Sequence, residues 1–182
     1  MASPWLVAID LQRVFAEPPS PWASADFHAA ADGIDRLLPA FRGRTVFTRF
    51  VAPAQPQGVW ATYFEEYDFA LVPDDDPLYE IVPRFREAAA REHVATRETF
   101  GKWDGALAAV IDGTREIVLT GVSTDCCVIA TALAAADAGI RVRVAADACA
   151  GASPEDHERA LQTMSLFAPL IEITTVDQVL GG

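Results

Sequence analysis

Hydrophobic residues in this chain gather into short unbroken runs separated by stretches of helical period. Trp5-Leu6-Val7-Ala8-Ile9 is the first run and stops at Asp10; Thr45-Val46-Phe47-Thr48-Arg49-Phe50 is the second. His93-Val94-Ala95-Thr96, Ile117-Val118-Leu119-Thr120, residues 140–146 closing at Asp147, and Leu170-Ile171-Glu172-Ile173-Thr174 complete a set of six. Apolar runs of this length between turn signals are strands, and near-continuous apolarity marks strands covered on both faces. Between the first two, residues 23–41 put Ile34, Leu37, Leu38 and Phe41 on one helical face. An alanine-rich helical stretch follows the fourth run and ends at Asp137-Ala138-Gly139. Before the last run, Ser153-Pro154-Glu155-Asp156 reads as a helix start, with a serine N-cap, a proline at the first position and acids in the first turn. Strands alternating with helices predict an α/β protein: a three-layer α/β/α, Rossmann-like fold on a six-stranded, mainly parallel sheet with right-handed crossovers. No linker or internal repeat interrupts the pattern, so residues 1–182 are expected to form one domain.

One segment departs from the alternation. Residues 52–77 are rich in proline and aromatics, and loops this long in compact domains are either functional or disordered. Trp60, Tyr63, Phe64, Tyr67 and Phe69 make the segment too aromatic for disorder. Trp60 and Tyr63, with Phe64 and Tyr67, could wall a substrate pocket together with Phe15 and Trp103 from neighbouring loops. They could equally pack a subunit interface or a small core of the loop's own. Asp74-Asp75-Asp76 reads as a solvated turn.

Composition narrows the function classes. A formal charge of −12 argues against nucleic-acid and anionic-membrane partners, which need clustered lysine and arginine, and leaves a small molecule as the expected partner. No apolar run reaches membrane-spanning length, and the N-terminus lacks the pattern of a secretory leader. Three cysteines, two of them adjacent, do not make a disulfide framework, so a reduced, cytoplasmic setting is expected. Lys102 is the only lysine in the chain.

The chemistry concentrates in residues 121–128, Gly-Val-Ser-Thr-Asp-Cys-Cys-Val, where the fourth strand turns into a helix. The first N–H groups of a helix favour a thiolate placed there and can also hold a developing oxyanion. In a doubly wound sheet the active groups gather at the carboxyl ends of the strands. Asp10, Arg97 with Lys102, and Cys126 with Cys127 all fall at such ends. An acid, a cation and a thiol from three strands could converge, the acid taking the thiol proton and the cation favouring the thiolate. Each also has a plainer role open to it, Asp10 as a turn residue and either cysteine as a small core residue.

Two blocks of the chain resemble the isochorismatase-like cysteine hydrolases. Asp10-Leu11-Gln12-Arg13-Val14-Phe15 is similar to that family's D-x-Q-x-x-F opening. Thr124-Asp125-Cys126-Cys127-Val128, Thr131-Ala132, Asp137-Ala138, Gly139 and Asp147-Ala148 follow its second signature in order, with His157 and Leu161 in the helix beyond. The resemblance implies that Cys127, directly before the valine, is the nucleophile, that Cys126 and Cys149 are packing residues, and that Asp10 handles protons. It also implies a non-proline cis peptide at Val122–Ser123, ordering a turn whose N–H groups, with that of Cys127, form an oxyanion hole.

The cation departs from the family pattern. The family's lysine stands six residues before an aromatic, and in Arg97-Glu98-Thr99-Phe100-Gly101-Lys102-Trp103 that register holds Arg97. Register therefore favours Arg97, with Lys102 reaching back from the loop as the alternative. Nicotinamidases of the family carry an Asp/His metal cluster after the second strand; residues 48–55 contain no histidine, and His28, His93 and His157 lack ligand spacing, so neither metal nor another cofactor is expected. His157 is expected to serve its helix structurally. The resemblance implies a hydrolase cleaving a C–N bond of a small amide, carbamoyl or ureido compound through a thioester, in a homodimer or homotetramer. The rivals are a non-catalytic member that binds a small molecule or partner protein, and a member that cleaves a vinyl ether without needing a thiol.

Overall fold

The computed structural model describes residues 3–111 and 113–181. Six strands, β1 (Trp5–Ile9), β2 (Thr45–Phe50), β3 (His93–Arg97), β4 (Glu116–Val122), β5 (Arg141–Ala150) and β6 (Ile171–Thr174), form one sheet in the order β3-β2-β1-β4-β5-β6. Every pairing is parallel, so the sheet is wholly rather than mainly parallel. The helices are α1 (Arg13–Ala16), α2 (Phe27–Leu37), α3 (Val59–Glu66), α4 (Pro83–Ala89), α5 (Gly105–Val110), α6 (Ile129–Asp137), α7 (Pro154–Ser165) and α8 (Val176–Gly181).

Alternation along the strands divides the core in two. In β1, Leu6 and Ala8 pack with Ile34 and Leu37 of α2, Phe85 of α4 and Val176 of α8. Val7 and Ile9 pack on the opposite face with Leu107 of α5, Ala132 of α6 and Leu161 of α7. Successive strand side chains point to opposite faces, so a strand covered on both faces needs apolar residues at every position. That is the origin of the unbroken runs. Ser153 caps α7, its hydroxyl accepting the Asp156 N–H at 3.1 Å, and Pro154 opens the helix.

Some boundaries differ from expectation. The helix expected over residues 23–41 is α2 followed by a tight 3₁₀ turn at Leu38–Phe41, because Pro39 has no N–H to continue the α-helical ladder. The fifth strand continues past Asp147 to Ala150, which puts Cys149 inside the sheet against β4. Residues 52–77 contain the short helix α3 and a turn of 3₁₀ helix at Asp68–Ala70. Ser123 through Val128 lies between β4 and α6, with Thr124–Val128 wound as one π-helical turn.

Candidate active site

β1 and β4 are neighbours at the centre of the sheet, and the strand order runs outward from them in both directions. A doubly wound sheet opens a crevice at this reversal, beyond the carboxyl ends of the two strands. Asp10 follows the last residue of β1, and the turn bearing Cys127 follows β4. Ile9 pairs with Gly121 where the two strands end. Gly121 has φ +104, and a Cβ there would lie 2.1 Å from the Ile9 carbonyl oxygen, so only glycine lets the strands approach this closely. The Val122–Ser123 peptide that follows is cis.

Asp10 is fully buried and held in a left-handed conformation, φ +51. The Thr48 hydroxyl accepts its N–H at 3.1 Å and donates to its Oδ1 at 2.6 Å. One threonine on β2 thus sets both the backbone and the carboxylate of the acid. Lys102 Nζ stands 2.9 Å from Asp10 Oδ2, and both side chains are wholly inaccessible. The ammonium points its aligned hydrogen bond at the Thr99 carbonyl, 2.7 Å away, so Oδ2 has charge contact but no aligned donor among the described residues. Nζ also lies 5.2 Å from the centre of the Phe50 ring.

Thr131 explains how a lysine from the loop after β3 comes to point inward. Its hydroxyl donates to the Cys127 carbonyl at 2.6 Å and accepts the Lys102 N–H at 3.0 Å. The lysine loop is therefore clamped to the helix that carries the thiol. Arg97, favoured by register, is elsewhere: its guanidinium pairs with Asp104, Nε to Oδ2 at 2.5 Å. The cation beside Asp10 is Lys102. Arg97 is the last residue of β3 and Lys102 lies in the loop beyond it; the Asp104 carboxylate holds the first outside and the Thr131 clamp brings the second inward.

Cys127 is buried, 3% exposed, in the π-helical turn. The Cys126 and Val128 N–H groups both donate to the Ser123 carbonyl, at 3.2 and 3.1 Å. Thr124 Oγ1 lies 2.8 Å from His157 Nδ1, and Asp125 Oδ1 accepts the Ala152 N–H at 2.9 Å, so α7 and the loop before it brace the turn. Burial, then the Asp10 carboxylate as a charge and as acceptor of the thiol proton, push the Cys127 thiol well above its ordinary range; Lys102 pulls the other way and is outweighed. Lys102 does favour the thiolate, as expected of the cation, but burial and Asp10 outweigh it. The thiol rests protonated beside a base.

A cavity of about 260 Å³ opens over the thiol, lined by Phe15, Trp22, Phe50, Tyr63, Tyr67 and Phe100 among others. Of the expected pocket residues, Phe15, Tyr63 and Tyr67 line it, whereas Phe64 is buried in the core. Trp60 stands one layer back, packed on Tyr63 and Phe100 at 5.4 and 5.1 Å between ring centres. Trp103 does not belong to it and lies with Asp104, Ala108 and Ile111 on another surface depression, because the inward turn of Lys102 sends the next side chain away. Cys126, expected as packing, is half-buried and lines the cavity beside Ser123 and Cys127. Trp22, Phe50 and Phe100 are lining residues that the sequence reading missed. Phe50 ends β2 at the same edge as Asp10, and that position is the signal that could have found it.

Gln12, third in the D-x-Q pattern, has a structural place. Fully buried, it donates from Nε2 to the Phe50 and Tyr79 carbonyls at 2.9 and 2.8 Å and accepts the Phe50 N–H at 2.7 Å. It ties the end of β2 to residues 77–81. As for metal, no group of three or more His, Cys, Asp or Glu side chains with ligand geometry occurs among the described residues, and residues 51–55 after β2 supply no histidine. The residues present do not fit the metal cluster of nicotinamidases. No helix among the described residues is long and apolar enough to cross a membrane.

A fully parallel doubly wound sheet with a carboxylate, an ammonium and a thiol buried at its switch point places the molecule among the doubly wound α/β proteins. The model of the isochorismatase domain matches residues 4–177, and the chain belongs to that family of isochorismatase-like hydrolases. Comparison by sequence with curated proteins gives no match. Among solved structures, a cysteine hydrolase from Pseudomonas syringae pv. phaseolicola 1448A superposes with a TM-score of 0.85 at 19% identity, over 97% of this chain and 90% of that one. An isochorismatase family protein from Desulfovibrio vulgaris subsp. vulgaris str. Hildenborough gives 0.79 at 23% identity, over 97% of each chain. A nicotinamidase from Bacillus subtilis gives 0.73 at 21%, over 93% of this chain and 97% of that one. At these identities the likeness is one of fold.

Proposed function

We propose that the protein is a cysteine hydrolase that cleaves a C–N bond of a small amide, carbamoyl or ureido compound through a thioester. The observation that carries this reading is the buried Asp10–Lys102 pair set against the Cys127 thiol at the mouth of a cavity. A charged pair removed from water costs several kcal/mol of solvation, and a well-packed apolar pair of equal volume avoids that cost. Its presence beside a thiol and a cavity favours chemistry over a purely structural or binding role.

In this reading the substrate carbonyl enters above Cys127. Asp10 accepts the thiol proton as sulfur forms its bond to the carbonyl carbon, so no thiolate need accumulate beforehand. The Cys127 N–H, aimed by the turn at Val122–Ser123, holds the developing oxyanion. Lys102, paired with Asp10, balances the site's charge during the step. Collapse of the tetrahedral intermediate breaks the C–N bond, and Asp10 returns its proton to the departing nitrogen. Water then attacks the thioester, giving a proton to Asp10 that finally returns to the Cys127 sulfur. Acid and product amine leave.

The test is a panel of small amides, carbamoyl compounds and ureas assayed with wild type, Cys127→Ser and Lys102→Met. Turnover of at least one panel compound by wild type, lost in Cys127→Ser, is expected. Turnover that survives Cys127→Ser unchanged refutes the thioester mechanism, and none with any compound returns the protein to the binding role.

A further inference from the structure

We infer that Trp22 is a specificity-determining wall: it closes the cavity over Cys127 against a neighbouring groove and so limits how long an apolar chain the site can bury. The inference goes beyond the hydrolase reading, which names the bond that reacts and says nothing of chain length.

A second depression, of about 530 Å³, adjoins the thiol cavity, and Pro21 lines both. The two spaces meet at the ridge made by Pro21 and Trp22. Trp22 lines the cavity and Phe69 lines the groove, their rings edge to face at 69° with 4.9 Å between centres. Trp22 also packs on Phe15, Phe50, Tyr63 and Tyr67, at 6.0, 5.9, 6.3 and 5.5 Å. An indole in contact with five rings is a plug rather than a flap. The backbone that carries it is held as well. Pro18, Pro19 and Pro21 each fix φ. The Trp22 N–H donates to Ser20 Oγ at 3.2 Å. Ser24, which is buried, donates its N–H to the Phe15 carbonyl at 2.9 Å and its hydroxyl to the Gly151 carbonyl at 2.7 Å. Phe15 and Ala152, the residue after Gly151, both line the cavity, so the segment is tied to the cavity's own walls.

The groove beyond the wall suits an apolar chain. Phe69, Val72 and Leu78 line it, half-buried against the core. Arg13, the one cation that lines it among the described residues, is paired with Glu17 and Glu80, which leaves the apolar side chains to decide what the groove holds. In the wild type a chain that outgrows the cavity of about 260 Å³ turns out through the mouth into water, where further methylenes gain nothing. With the indole removed, the same chain runs on into the groove, and each methylene that is fully buried there tightens binding about fourfold. Trp22 thus decides where the gain from chain length stops.

The experiment alkylates the full-length protein with a homologous series of N-alkyl iodoacetamides, N-methyl to N-octyl. The second-order rate at Cys127 is read by peptide mass spectrometry and normalised to free cysteine. For wild type the rate is expected to level off, staying within about threefold from N-butyl to N-octyl, whereas Trp22→Ala is expected to gain at least about tenfold over the same interval. Trp22→Ala/Leu78→Trp, which refills the groove, should lose that gain. Equal length dependence in wild type and Trp22→Ala, whether flat or rising, overturns the inference, and so does a gain that survives Leu78→Trp. Trp22→Leu gives up less packing and replaces Trp22→Ala if the latter does not fold; a folded Trp22→Leu with the wild-type length dependence overturns the inference equally. Because alkylation needs no turnover, the two readings fail separately. A length limit set by Trp22 with no hydrolysis of any panel compound sinks the hydrolase reading alone. Hydrolysis without that limit sinks this one alone.

Discussion

Lys102→Met removes the ammonium beside Asp10 while keeping most of the side-chain volume, and it separates the two candidate cations. At 2.9 Å the pair attracts by about 6 kcal/mol at an effective dielectric constant of about 20. Removing one member of a buried pair costs about 3–5 kcal/mol, because the other charge stays behind without compensation. The Thr99 carbonyl loses its donor as well. The carboxylate stranded this way also loses the cation that holds and balances it where it accepts the Cys127 proton. Loss of a general base lowers the rate by about 10²–10⁴-fold. Arg97→Met removes an ion pair at the rim, with its side chain 21% exposed, worth about 0–1 kcal/mol.

Two assays read these variants. One is kcat/KM on whichever panel compound is turned over; the other, which needs no substrate, is the alkylation rate of Cys127 against pH. Lys102→Met is expected to lose at least about 100-fold in kcat/KM near neutral pH. Its thiol should alkylate more slowly than the wild-type thiol, because the ammonium that lowers the thiol is gone while the carboxylate that raises it stays. Arg97→Met is expected to stay within about threefold, matching the small worth of a rim ion pair. Urea unfolding of both variants separates lost stability from lost chemistry. A Lys102→Met enzyme within tenfold of wild type and with an unchanged pH profile refutes the reasoning. An Arg97→Met enzyme equally damaged would return the role to the register position.

Three further outcomes follow from the same geometry. Because burial and Asp10 raise the Cys127 thiol, iodoacetamide at neutral pH should label it more slowly than free cysteine, with a rate that climbs as pH rises; faster labelling at neutral pH would contradict the protonated resting state. Cys149, pushed up to about 12 by burial, keeps its proton in the folded protein where the unfolded chain has lost it, so stability is intact below about pH 9 and falls above it by about 1.4 kcal/mol per pH unit. Urea midpoints measured between about pH 8 and 10.5 should show a decline, and Cys149→Ala should make it shallower by that amount, the raised Cys127 and Cys126 thiols supplying a remainder; an equally steep decline in Cys149→Ala discounts the thiol. Gln12→Leu leaves the Phe50 N–H and carbonyl without their side-chain partner and is expected to cost about 2–5 kcal/mol, read as a lower urea midpoint at unchanged slope; a loss under about 1 kcal/mol would mean the strand end repairs itself.

Strand positions were legible because both faces of this sheet are covered, so each strand writes itself as an apolar run in the chain. The sheet's edges of definition were less so: β5 continues through Asp147 to Ala150 because pairing with β4 persists past the last clearly apolar residue. Asp10 and the cysteine pair were legible as chemistry-bearing residues at strand ends, since in a doubly wound sheet those ends meet. Trp22 and Phe100 were not. They reach the cavity from loops, and nothing in the local pattern of a loop says which of its side chains turns inward.

The amino-acid sequence by itself determined the α/β class, the family, and which strand ends carry an acid and a thiol, because these depend on periodicity and on motifs read locally. Only the tertiary structure decided that Lys102 and not Arg97 stands beside Asp10, that Cys126 lines the cavity while Trp103 does not, and that the thiol rests protonated. Each of these turns on a balance between groups distant in the chain. The Thr131 clamp joins the lysine loop to the thiol helix, Asp104 holds the arginine outside, and burial outweighs one nearby ammonium. Register along a chain counts residues, whereas the pull on a side chain depends on what the fold has packed around it.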